Sequence, residues 1–177
     1  MNKRIRISAF LWLIFCSAWV VAEERLFQVE VIVFDQSAPT TELFEQTEPE
    51  IISSARYARV KRGTKTINSY YRQLDRASNY RPFFYESFQV SVKSNRISLP
   101  IKISLPSENL EGWVKIQRGQ LLHVITDLEY SPADSLESEG MVYRISEKRR
   151  VLLNESHFLD HPFFGVLLKV SPVEATQ

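Results

Sequence analysis

Four cations stand within YRISEKRR, residues 143–150: Arg144, Lys148, Arg149 and Arg150. A guanidinium donates two hydrogen bonds to one carboxylate, so a cluster of this kind could hold an acidic ligand. Lys115 and Arg118 could extend it from neighbouring strands, and Trp113, Tyr143 and Tyr130 could add a stacking surface for sugars. The same cations could instead pair with Glu108, Glu111, Asp127, Glu129 and Glu147 across a sheet. Residue chemistry alone favours that plainer account.

The histidines are His123, His157 and His161. His157 and His161 have the i, i+4 spacing of a helical metal pair, and Asp160 or His123 could complete a three-ligand zinc site for a metal-dependent hydrolase. Pro162 biases His161 away from helical geometry, and no glutamate follows His157 to act as a base. The simpler reading is a structural turn over Ser156 to Pro162. In it Asp160 accepts backbone N–H groups, His157 and His161 fix the corner, and Pro162 and Gly165 complete it. Asp127 and Glu129 share one face of a strand and could be imagined as a glycosidase pair, but a solvated strand face accounts for them. There is no G-x-S-x-G elbow, no S-x-x-K and no phosphate-binding glycine loop. Neither a catalytic group, a metal nor a cofactor is expected.

The elements that must carry these side chains follow from hydrophobic period. Met141 to Val151 alternates as a strand, with Val142, Arg144, Ser146, Lys148 and Arg150 on one face and Tyr143, Ile145, Glu147, Arg149 and Val151 on the other. Phe163 to Val170 suits a buried strand, so the basic strand is expected to return into the core as a terminal hairpin. Leu26 to Phe34 reads as a strand entering the sheet interior, and Thr64 to Asn79 as a helix laying Ile67, Tyr70, Tyr71 and Leu74 on the sheet. Phe83 to Val92 is a strand. Ile101 to Leu105, between Pro100 and Pro106, suits an edge. Gly112 to Gln117 and Leu121 to Tyr130 form a hairpin in which Gly119 takes the positive φ of the turn. The expected fold class is α+β: a single domain with a mainly antiparallel sheet of six or seven strands and one or two helices packed on it.

Lys3, Arg4 and Arg6 precede an apolar run from Ala9 to Val21 and small residues before Glu23, the layout of a signal peptide over residues 1–22 cut after Ala22. The run is short of the ~20 apolar residues a bilayer span requires, so no membrane span is expected in the mature form. Cleavage would remove Cys16, the one cysteine, and leave 19 basic residues against 21 acidic ones. That balance argues against nucleic acid as a partner. Residues 23–177 then form one domain, with an acidic flexible segment near 35–51 and one short possible helix at Thr41 to Thr47.

The segments YRISEKRR and LLNESHFLDHPFFGVLLKVSP resemble the C-terminal signature of the CsiV family of peptidoglycan-binding, cell-shape-influencing proteins of proteobacteria. FQVEVIVF at 27–34, NYRPF at 79–83 and EGWVKIQRGQLLHVITDLEY at 111–130 are similar to further family segments, in the family's order. The family commonly has tryptophan where Phe88 stands. The resemblance implies a non-catalytic periplasmic protein that binds peptidoglycan and supports cell-wall synthesis, with a lipoprotein activator of a peptidoglycan synthase as a possible protein partner. It shifts the cationic strand towards a wall-binding surface made of Arg144, Lys148, Arg149, Arg150, Trp113 and Tyr143. A purely structural envelope adaptor is the remaining alternative.

Overall fold

A computed structural model of the chain describes residues 23–36, 56–132 and 142–174. The leader at 1–22, nearly all of the acidic stretch at 35–51 with its short helix at Thr41 to Thr47, and most of the loop from Ser131 to Gly140 lie outside the described residues.

β1 (Glu24–Gln36) is the strand around which the rest is arranged. Phe27, Val29, Val31 and Val33 project to one side and are buried, as strand alternation demands. On the other side Ile32 and Phe34 are also buried, because a helix covers them. With both faces covered, the run from Val29 to Phe34 is buried without interruption. β1 lies between β3 (Tyr80–Lys93) and β10 (Phe164–Pro172), which are flanked by β2 (Lys61–Arg62) and β9 (Ser156–His161). The resulting antiparallel order is β2-β3-β1-β10-β9.

A second antiparallel sheet contains β4 (Arg96–Ile97), β6 (Leu110–Arg118), β7 (Leu122–Tyr130) and β8 (Tyr143–Arg150) in that order. β5 (Ile101–Leu105) pairs β6 alone, so it does lie at an edge, and Pro100 and Pro106 bracket it. The inner faces of the two sheets share one core. Val29, Val31 and Val166 of the first meet Val114, Ile116, Val124 and Leu128 of the second. Each such side chain contributes roughly 1.5–3 kcal/mol when fully buried.

Ion pairs and hydrogen bonds clasp the sheets at both ends. At one end Arg81 pairs with Asp35 at 2.8 Å and with Glu108 at 2.9 Å, and the Tyr130 hydroxyl donates to Asp35. Burial, reinforced by the Asp35 charge, pushes the Tyr130 hydroxyl pKa up to about 12. At the other end Arg118 donates to the carbonyls of Glu23 and Val92. Arg118 is thereby a tie between sheets.

The mainly antiparallel α+β expectation holds, with three corrections. Among the described residues ten strands in two sheets replace one sheet of six or seven, since two-residue strands carry no period and alternation cannot say which sheet a strand joins. β8 and β10 are not partners in a hairpin: β8 ends the second sheet, and β10 pairs β1 and β9 in the first. Among the described residues there is one α-helix, α1 (Asn68–Arg76), shorter than the expected Thr64 to Asn79. Its early start is prevented because Gln28 exchanges hydrogen bonds with the backbone of Thr64 and Glu30 accepts from Thr66 N, which ties that stretch to β1.

Candidate ligand-binding face

The second sheet carries no helix on its outer face among the described residues, and its register sets which side chains meet there. Opposed residues of antiparallel strands share a face. One row therefore runs Lys102, Trp113, Asp127, Ser146; the next runs Lys115, Ile125, Lys148; the third runs Gln117, His123, Arg150. Ile97, opposite Gln117, is 52% exposed, and Leu99 beyond it is also exposed.

Two zones of different character result. In the first, Arg144 grips Asp127 with two bonds, Nε to Oδ1 at 2.7 Å and Nη2 to Oδ2 at 2.8 Å, and stands 3.9 Å from Glu129. This guanidinium is neutralised by the protein's own acids, as the plainer reading of the sequence holds. In the second zone, Lys148 and Arg150 are exposed and form no ion pair among the described residues. Lys115 places its ammonium 3.9 Å from the centre of the Trp113 ring. A cation over the indole face leaves both the charge and the ring edge available to a ligand. Sheet face, free cations and apolar side chains thus alternate, and such a surface can hold an anionic ligand with apolar faces.

Of the six residues expected to form the surface, Trp113, Arg144, Lys148 and Arg150 are brought to one face. Tyr143 and Arg149 are not. Tyr143 is 8% exposed and stacks on Phe163 with ring centres 3.9 Å apart, so a sheet position facing the core removes it from any ligand. Arg149 pairs with Glu147 at 2.7 Å and donates to the Phe158 carbonyl on β9. It caps the edge of the first sheet instead of facing outward. Residues missed by the sequence reading are Ile97, Leu99 and Ile125; the period-2 rule applied to 110–130 would have put Ile125 beside Lys115.

The stretch expected as a turn is largely a strand. His157, Asp160 and His161 lie in β9, Pro162 with Phe163 makes the turn, and Gly165 is in β10. Extended geometry separates residues i and i+4 by about 13 Å, so His157 and His161 cannot share an ion. His123 projects from the other sheet. Among the described residues no group of three or more His, Cys, Asp or Glu could hold a metal. Asp160 accepts from the Gln36 side chain, not from turn N–H groups. The histidines brace turns: His157 Nε2 accepts from Leu152 N, and His161 Nδ1 accepts from Phe163 N. Burial holds the His161 pKa below the ordinary value of 6.5, against the raising effect of Asp160. Gly165 is needed because a Cβ there would meet the Phe34 and Phe158 rings. Among the described residues no helix is long and apolar enough to cross a membrane.

The family model described as "Peptidoglycan-binding protein, CsiV" matches residues 46–173, more than two thirds of the chain. No curated protein sequence matches it.

Proposed function

The chain belongs to the CsiV family of peptidoglycan-binding proteins, and from that premise we propose that it is an exported, non-catalytic periplasmic protein that holds the cell wall through the outer face of its second sheet. Its role is to support the wall-synthesis machinery that sets cell shape, with a lipoprotein activator of a peptidoglycan synthase as its protein partner. The observation that carries the binding surface is the pair Lys148 and Arg150, exposed and without an ion pair among the described residues, beside the Trp113 and Lys115 stack. Stem peptides of the wall present carboxylates, which the cations attract. Its sugars present apolar ring faces, which suit Trp113 and Ile125.

The full chain is expected to co-sediment with purified sacculi and to be released as salt rises, because the screening length falls from ~10 Å at 0.1 M to ~3 Å at 1 M. Lys148→Ala with Arg150→Ala should weaken retention roughly tenfold, the loss of two exposed charge-assisted contacts. Equal retention of the double variant would remove this face from the proposal. Soluble muropeptides released from the sacculi would overturn the non-catalytic assignment.

A further inference from the structure

We propose that the cleft between β3 and β5 is a second wall-binding site, which takes a sugar ring bearing a carboxylate-terminated arm. The inference rests on the wall-binding reading above and adds a site that reading does not use. Where β5 ends, the second sheet no longer covers the inner face of β3, and a cleft of about 550 Å³ opens between the two sheets. A space of that size is within the ~300–1,000 Å³ of small-ligand sites. Phe83, Phe88 and Leu105 supply apolar walls, Arg62 and Lys102 stand at its rim, and Glu86 faces into it.

Each part matches one feature of the ligand. Phe88 is half-buried at the cleft, available to stack on the apolar face of a pyranose. Arg62 lies opposite Phe88 in register, is exposed, and has no ion pair among the described residues, so its fork can take a carboxylate. Lys102 is only loosely engaged, 3.8 Å from Glu111 and 5.9 Å from the centre of the Tyr57 ring. Glu86, 3.8 Å from Lys65, and Ser104 can bond to sugar hydroxyls. A wholly apolar ligand would waste the cations, and a free carboxylate alone would waste the rings. An acylated amino sugar with an acidic peptide arm uses both. The cleft also adjoins the outer face, since Lys102 is opposite Trp113 in register. One glycan strand could therefore occupy both, with successive units in the cleft and at the indole edge.

The test is calorimetric titration of the full chain with the disaccharide-peptide fragment that muramidase releases from sacculi, alongside sedimentation with intact sacculi. The wild type should bind the fragment saturably. Arg62→Ala should weaken this roughly tenfold, as expected for one charge-assisted contact, and Arg62→Lys should restore part of it. Phe88→Leu, which keeps an apolar side chain and should unfold at close to the wild-type temperature, should also weaken it. Fragment affinity unchanged in both Arg62→Ala and Phe88→Leu, or sacculus binding by the wild type with no fragment binding, would overturn the cleft while leaving the outer face standing. Failure of the wild type to sediment with sacculi would overturn the wall-binding reading, and the cleft with it.

Discussion

Gly112→Ala is expected to lower the thermal midpoint by roughly 10 °C, the equivalent of about 3 kcal/mol in a domain of this size. Gly112 has φ +148°, a conformation that residues with a side chain rarely adopt. A Cβ added there would sit 2.1 Å from the Asp127 carbonyl oxygen and 2.8 Å from the Leu128 Cα, both backbone atoms of the paired strand β7. Flexible side-chain ends can yield; backbone held by a ladder of hydrogen bonds cannot. Relief requires β6 and β7 to separate, and the overpacking and torsional costs add. The same close approach sets Trp113 beside Asp127 and the Arg144 grip, so the variant should also lose sacculus binding. Gly119→Ala is the control. Its φ is not in the positive range, and the nearest atom to an added Cβ is 3.7 Å away, so its midpoint should remain within a degree or two of the wild type. Circular dichroism melts of both variants check the pair, and a Gly112→Ala midpoint equal to that of Gly119→Ala would refute the steric argument.

The contrast between these glycines shows where sequence reading succeeds and stops. The hairpin from Gly112 to Tyr130 was legible because apolar residues alternate on both arms and Gly119 marks the break between them. Which glycine needs its freedom was not. Turn chemistry made Gly119 the natural choice, but its turn is built without positive φ, whereas the approach of β7 at Gly112 is a tertiary event with no local signature. β1 was legible to its faces: Phe27, Val29, Val31 and Val33 do point into the core. The helix was legible in type, since Ile67, Tyr71 and Leu74 recur at its period and do pack on Ile32 and Phe34. Its start was not, because side chains from a strand more than thirty residues earlier in the chain tie Thr64 to Thr66 to β1 and out of the helix. β9 was hidden for a different reason. Ser156 to His161 is polar, and Asp and Pro advertise a turn, but an edge strand buries little and can be written in turn-forming residues.

The candidate site divides along the same line. The alternation of YRISEKRR correctly separates Arg144, Lys148 and Arg150 from Tyr143 and Arg149. It cannot say which face looks outward over empty sheet and which meets β9, because that depends on how two sheets stack. Nor can it tell a neutralised arginine from an available one. Arg144 is consumed by Asp127 because the β7 to β8 register sets it opposite Glu129 and diagonal to Asp127, and Arg150 escapes because its opposite number is His123. Charge density in a sequence locates a cationic strand; cross-strand register decides which of its charges are spent internally.

Glu30→Gln should be the other severe change, costing roughly 3 kcal/mol at neutral pH. Glu30 is 1% exposed in the middle of β1, yet its carboxylate has no cationic partner among the described residues. It is held by dipoles instead. Oε2 accepts from Thr66 N at 2.6 Å, from Ile67 N at 3.2 Å and from the Tyr85 hydroxyl at 2.8 Å, while Oε1 accepts from the Thr66 hydroxyl at 2.5 Å. α1 has no side-chain cap bond from Ile67, and this strand carboxylate instead takes the N–H of Ile67 and of Thr66 just ahead of it, docking the start of the helix on the sheet. Burial acts to raise the Glu30 pKa, but the bonds from Thr66, Tyr85 and Ile67 outweigh it and hold the pKa below the ordinary 4.5. A depressed folded-state pKa contributes stability above the unfolded value, and that contribution is lost as pH falls through the folded one. Wild type and Glu30→Gln should therefore differ most at pH 6 to 7 and converge progressively below pH ~4.5, where protonation gives the wild-type carboxyl a proton that must also find an acceptor. The glutamine keeps the volume but replaces one accepting oxygen with an NH₂, which then faces either the two donors at Oε1 or the three at Oε2, so the penalty is electrostatic and not a cavity. Urea unfolding across that pH range measures it, and a stability gap that stays constant with pH would show that charge on Glu30 is not what fastens the helix.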